Sequence, residues 1–160
     1  MPKPTPKSLL IVSRDTLLDA EKDGGGERFC RLLATINRKG CHLLITAPEP
    51  DQWLPTRGRV DRALLEQRRL QEAIQNAGGD LEGIYYVPRS LLTQNRNREG
   101  ALQDILSRYG LNADAAVLVS SSVPFLKAAE RLSIETRAIA EDAPAAAQLE
   151  QVLQDFAERL

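Results

Sequence analysis

The sequence predicts a three-layer α/β domain, a parallel sheet with helices on both faces. Three observations predict it. Short, continuous apolar runs such as Leu9-Leu10-Ile11-Val12 suit strands buried on both sides. Such runs alternate along the chain with segments whose apolar residues recur at helical spacing. The 160 residues, 42% hydrophobic and 27% charged, carry enough apolar surface for one core without a metal or disulfide staple.

Residues 1–7 hold three prolines and are expected to form an extended, flexible lead-in to a single domain over 8–160. The first strand, Leu9 to Val12, ends in Ser13-Arg14-Asp15. Asp23 with Gly24, Gly25 and Gly26 predicts a flexible turn; residues 16–22 between them carry no assignment. Phe29, Leu32, Leu33 and Ile36 define a helix stopped at Gly40. Cys41 to Thr46 is a second strand, and Pro48 and Pro50 predict a loop after it. A longer helix starts near Val60 and ends before Gly78-Gly79, with Val60, Ala63, Leu70, Ile74 and Ala77 as its buried stripe. Gly83 to Val87 is a third strand, stopped by Pro88 and followed by a polar loop to Glu99. Ala101, Leu102, Ile105, Leu106 and Tyr109 mark the next helix, and Ala116 to Val119 a fourth strand running into Ser120-Ser121-Ser122. Pro124 opens a short helix to Leu132. Ile134 to Ile139 is a fifth strand, and Leu149, Val152, Leu153, Phe156 and Leu160 are the stripe of a terminal helix. The order is that of a Rossmann-like sheet.

Composition narrows the function classes. A net charge of −1 and 4% aromatic residues argue against nucleic acid as a partner. No apolar run approaches the ~18 residues that span a bilayer, so no membrane role and a cytoplasmic location are expected. Cys30 and Cys41 make neither a zinc ribbon nor a disulfide framework.

In parallel sheets of this kind ligands bind beyond the carboxyl ends of the strands. Those ends bring Ser13, Arg14, Asp15, Thr46, Ala47, Ser120 and Ser121 together. Asp15 is the single carboxylate among them, a poor basis for Mg²⁺, which normally takes one or two carboxylates plus substrate oxygens. Ser13 lacks a base, because the only histidine, His42, starts the second strand at the opposite edge. Arginine is in excess: 16 against 5 lysines, with eight arginines and no lysine between 57 and 98. Guanidinium suits planar recognition of phosphate or carboxylate. Arg14, Arg57 and Arg96 are therefore candidates for holding an anion. Arg62, Arg68 and Arg69 are expected on solvated helix faces.

The order of these features resembles the haloacid dehalogenase (HAD) superfamily, and within it the small phosphatases of heptose bisphosphate and histidinol phosphate, from Leu9 to about Ile139. Those enzymes open with Asp-Arg-Asp-Gly-Thr, in which the first aspartate attacks phosphorus and the second is the general acid. Ser13-Arg14-Asp15-Thr16 stands at that place here. Thr46 matches the start of their Thr-Asn-Gln, Arg57-Gly58 keeps part of an Ala-Arg-Gly element, and Ile84-Tyr85-Tyr86-Val87-Pro88 is similar to Ile-Tyr-Tyr-Cys-Pro, with valine for a zinc-ligating cysteine. Their lysine falls at Arg96. Their metal-binding Val-Gly-Asp falls on Val119-Ser120-Ser121, and the further aspartate on Phe125.

The resemblance implies a HAD-like fold whose catalytic positions are degenerate, with Ser13 and Asp15 vestigial. What it leads one to expect is a pseudophosphatase that binds a phosphorylated or other anionic ligand, or a protein partner. The expected ligand-binding residues are Arg14, Thr46, Arg57, Arg96, Ser120 and Ser121, with no metal and no cofactor. The alternative is a weak sugar-phosphate phosphatase that relies on Asp15 and uses Mg²⁺.

Overall fold

A computed structural model describes residues 7–48, 59–88 and 94–160. Its sheet has five strands, all parallel: β1 (Leu9–Ser13), β2 (His42–Pro48), β3 (Leu81–Val87), β4 (Ala116–Ser120) and β5 (Glu135–Ala138), in the order β3-β2-β1-β4-β5. The helices are α1 (Arg14–Lys22), α2 (Gly26–Arg38), α3 (Arg59–Asn76), α4 (Gln94–Tyr109), α5 (Val123–Arg131) and α6 (Ala145–Glu158). The chain steps outward from β1 to β3, then returns to the far side of β1 and steps outward again.

Strand β1 shows why its sequence is apolar without alternation. Leu10 and Val12 point to one face and Leu9 and Ile11 to the other, and all four are fully buried. The first face packs against Leu17, Phe29, Leu33, Ile74, Leu149 and Phe156 from α1, α2, α3 and α6. The second packs against Leu102, Ile105, Phe125 and Ala129 from α4 and α5. Burying one such side chain stabilises the fold by roughly 1.5–3 kcal/mol, so the two faces together hold the sheet in place.

Three expectations need correction, and one segment without a predicted element is helical. Residues 14–22 form a helix: α1 starts directly behind β1, and its buried Thr16, Leu17, Leu18 and Ala20 face the core. Pro48 is not in a loop; it pairs with Val87 at the end of β2. Partnering with β1 stops at Thr46, so β2 beyond it has a neighbour on one side only, an edge position that tolerates the missing N–H. Helix α4 begins at Gln94, so Arg96 and Arg98 lie on a helix and not in a loop. Leu160 lies beyond α6 and is 38% exposed, outside the stripe formed by Leu149, Leu153 and Phe156. The side chains of Val60 and Ala63 lie outside the described residues.

The glycine turn is docked against the start of α6. Helix α6 has Pro144 at its N-cap, which makes no side-chain cap bond. Asp23 supplies one from across the fold: its carboxylate accepts the backbone N–H of Ala145 at 2.8 Å and of Ala146 at 3.4 Å. Gly25 allows the approach, since a Cβ there would sit 2.7 Å from the Ala146 Cβ. Edge strand β3 carries one extra residue between its Leu81 and Ile84 pairings, and Gly83 takes φ +140° there.

Lys7 and Arg159 meet on β5. Glu135 accepts from both terminal nitrogens of Arg159, at 3.2 and 3.5 Å, and faces Arg137 at 3.4 Å and Lys7 at 4.0 Å. Lys7 also donates to the Asp114 carbonyl at 2.6 Å, which seats the last residue of the lead-in.

Two stability predictions follow from these contacts. Asp23→Ala removes the cap of α6 and is expected to cost about 1 kcal/mol, seen as a Tm lowered by roughly 3 °C. Burial raises the Glu135 carboxyl, but Arg159, Lys7 and Arg137 outweigh it and hold the carboxyl below its ordinary value. Such a group adds stability at every pH above its unfolded value and loses it as pH falls through the lower, folded one. Glu135→Gln should therefore lower Tm by about 2 °C near neutral pH, a loss of ~0.5 kcal/mol, and the difference should vanish in acid below the carboxylate range.

Candidate functional site

The sequence direction of the helices changes side between β1 and β4. That reversal leaves a crevice at the carboxyl ends of the strands, where α1 leaves β1 on one side and α5 follows β4 on the other. A cleft of about 1050 Å³ lies there, and Ser13, Asp15, Thr46, Ser120 and Ser121 line it together. The structure thus brings these five strand-end residues to one place.

The floor of the cleft is a lattice of short hydroxyl side chains. Ser13 Oγ donates to Ser120 Oγ at 2.8 Å. Ser120 Oγ also accepts the backbone N–H of Ser122 at 3.0 Å. One turn away, Thr16 Oγ1 accepts the N–H of Ser121 at 3.0 Å and shares a 3.1 Å bond with the Ser121 hydroxyl. Thr16 and Ser120 are both fully buried. Every bond crosses from the β1–α1 junction to the β4–α5 junction or tightens the latter. Ser122 then caps α5 by accepting from Phe125 N–H at 3.4 Å, with Pro124 in the first turn. Among the described residues no buried side-chain nitrogen or oxygen lacks a partner.

This floor does not fit Mg²⁺. The ion wants carboxylate oxygens, whereas the ends of β1 and β4 offer Ser13, Ser120 and Ser121, whose hydroxyls already bond to one another or to Thr16. Asp15 is exposed and paired with Arg14 at 3.2 Å. Among the described residues no group of His, Cys, Asp and Glu is placed to hold a metal.

The chain's only histidine stands far from Ser13. His42 pairs in register with Leu9, at the amino end of β1, and so stands four strand residues from Ser13, about 13 Å. Its Nδ1 bonds to Glu82 Oε1, and its ring lies 5.3 Å from that of Tyr109.

The arginines do not gather as expected. Arg14 is not part of the cleft lining; its Nη1 donates to Gln67 Oε1 at 3.1 Å, and Gln67 Nε2 donates to the Tyr86 hydroxyl at 2.9 Å. Gln67 is 6% exposed, so this relay is a fixed strut between α1, α3 and β3. Arg96 is exposed in the first turn of α4 and does not line the cleft; Arg98, two residues on, does. Arg57 lies outside the described residues. Arg68 and Arg69 are exposed on α3, as expected.

Tyr85 turns away from the cleft. Its hydroxyl donates to Asp104 at 2.6 Å, Arg108 lies 5.4 Å over its ring, and burial first and Asp104 second push it up to about 12. Tyr85 thus docks β3 on α4, while Val87 and Pro88 from the same segment line the cleft. Burial likewise pushes the Cys30 and Cys41 thiols up to about 11, so both are inert core groups at neutral pH.

Several lining residues escaped the sequence: Thr16, Asp19, Arg98, Glu141 and Asp142. Asp19 follows Asp15 by one helical turn, a spacing visible only once α1 is recognised. Glu141 and Asp142 follow the carboxyl end of β5 and obey the same strand-end rule that found Ser120.

No family model and no curated protein matches the chain. Solved structures do. An uncharacterized protein from Corynebacterium glutamicum superposes with a TM-score of 0.57 at 17% identity, over 91% of this chain and 94% of that one. The D,D-heptose 1,7-bisphosphate phosphatase of B. bronchiseptica, complexed with magnesium and phosphate, gives 0.57 at 15% identity over 92% and 99%. That of Burkholderia thailandensis gives 0.53 at 16% over 91% and 99%. At these identities the likeness is one of fold: this chain has the three-layer α/β fold of the D,D-heptose bisphosphate phosphatases.

Proposed function

We propose that this chain is a pseudophosphatase, a ligand-binding domain on a phosphatase-like fold that does not hydrolyse phosphate esters. The observation that supports it best is the Ser13–Ser120 hydrogen bond at the crevice between β1 and β4. In-line attack at phosphorus needs an oxygen nucleophile and a cation to stabilise the charge that develops. Ser13 has its hydroxyl hydrogen directed to Ser120, and His42, the chain's only histidine, stands toward the other end of the strands. Ser121, which falls where the resemblance puts a metal-ligating aspartate, is bonded to Thr16. The cleft is large enough for a small molecule or a short segment of a protein partner.

The phosphorylated ligand suggested by the arginines has weaker support than the cleft itself. Arg14 is held by Gln67 and Asp15, and Arg96 stands on the solvent side of α4. Thr46, Ser120 and Ser121 remain as lining groups that could bond to a ligand's polar atoms.

The second reading, a weak phosphatase that relies on Asp15, is supported by the place of Asp15 in the lining of the cleft, where it is exposed. Phosphate release from a panel of sugar phosphates and bisphosphates, with and without Mg²⁺, tests this. Equal and background-level release from the natural protein and Asp15→Asn is expected. Turnover that needs Mg²⁺ and disappears in Asp15→Asn would establish a phosphatase instead.

A further inference from the structure

On its β5 side the cleft is walled by a segment held between two fixed posts. The first post is Ile139. Strand β5 ends at Ala138, which pairs with Ser120, and the next N–H, that of Ile139, still donates to the Ser120 carbonyl at 3.0 Å. The Ile139 side chain is buried in the core. The second post is Ala145, the first residue of α6, whose N–H is held by the Asp23 carboxylate at 2.8 Å. Residues 140–144 span the gap and are all exposed. Ala140, Glu141 and Asp142 line the cleft.

One side chain of α6 reaches back to this span. The Gln148 carboxamide binds Ala140 as a neighbouring strand would. Its Oε1 accepts the Ala140 N–H at 2.7 Å, and its Nε2 donates to the Ala140 carbonyl at 2.9 Å. The same Nε2 lies 3.1 Å from the Ala143 carbonyl and 3.4 Å from that of Pro144. Among the described residues no other side chain hydrogen-bonds to 140–144. Exposed amide hydrogen bonds of this kind exchange for water at little net cost. Releasing them leaves Leu149, Leu153 and Phe156, on the buried face of the same helix, in the core.

We propose that residues 140–144 are a hinged flap on the cleft, latched by Gln148, which opens between Ile139 and Ala145 and widens the mouth on the β5 side. Such a flap serves a binding cleft and a hydrolytic one alike.

Residue-resolved amide hydrogen exchange tests the hinge in the natural protein. The Ala140 amide is expected to exchange at least about tenfold faster than the Ile139 amide, corrected for intrinsic rates, because it opens with the flap and not with the sheet. In Gln148→Ala, which puts a good helix former at that position, Ala140 should exchange a further ~threefold faster or more, with Ile139 and Ala145 unchanged. Access to the cleft tests the gate. Ser121 lines the cleft and leaves the sheet beside Ile139, one residue beyond the Ser120–Ala138 pair. In Ser121→Cys the new thiol can be labelled with N-ethylmaleimide against Cys30 and Cys41, which are buried. Adding Gln148→Ala should speed that labelling by about threefold or more. Equal protection of Ala140 and Ile139 would overturn the flap, since the segment would then open only with the sheet. Exchange at Ala140 that ignores Gln148→Ala would remove the latch, and a labelling rate that ignores it would remove the gate.

Discussion

Everything in this molecule depends on β1 being buried on both faces. A central strand with helices above and below can carry no polar side chain along its length, and Leu9 to Val12 are fully buried. Polar chemistry is therefore pushed to the ends of the strand. At the carboxyl end the helices change sides between β1 and β4, and the two chain segments part there. The cleft is the space that this parting leaves. Ser13 is the first residue of β1 at which the surroundings admit a hydroxyl.

Much of the fold was legible because its strands are short apolar runs with glycine or proline at their ends. The element types were readable wherever the apolar residues kept a single period. Helix α1 escaped since Ser13 serves at once as the last strand residue and as N-cap, so no loop residues announce a boundary. Pro48 misled for a related reason: whether a strand position tolerates proline depends on which neighbours it has, and that is a property of the sheet rather than of the segment. The start of α4 was obscured by polar residues, Gln94 to Glu99, that fit a helix as well as a loop.

The site was legible in a different proportion. The strand-end rule named Ser13, Asp15, Thr46, Ser120 and Ser121, all in the cleft lining. The arginines were harder to place, since a long side chain can be satisfied far from its Cα. Arg14 illustrates this: its backbone lies at the cleft, yet its guanidinium reaches Gln67 on α3. Short side chains such as serine and threonine have no such reach, so their function follows their position. The same shortness lets Ser13, Thr16, Ser120 and Ser121 close a neutral lattice where carboxylates would repel one another without a cation between them.

The ion-pair cluster on Glu135 has a geometric consequence. Lys7 precedes β1 and Arg159 follows α6, yet both reach the first residue of β5. In a parallel sheet the first residues of all strands share one edge, so Lys7 and Arg159 lie side by side at the edge opposite the cleft. The ion pairs on Glu135 therefore clasp the segments leading into β1 and out of α6 at the back of the sheet. The cleft opens at the other edge, so no contact of that clasp stands in its mouth.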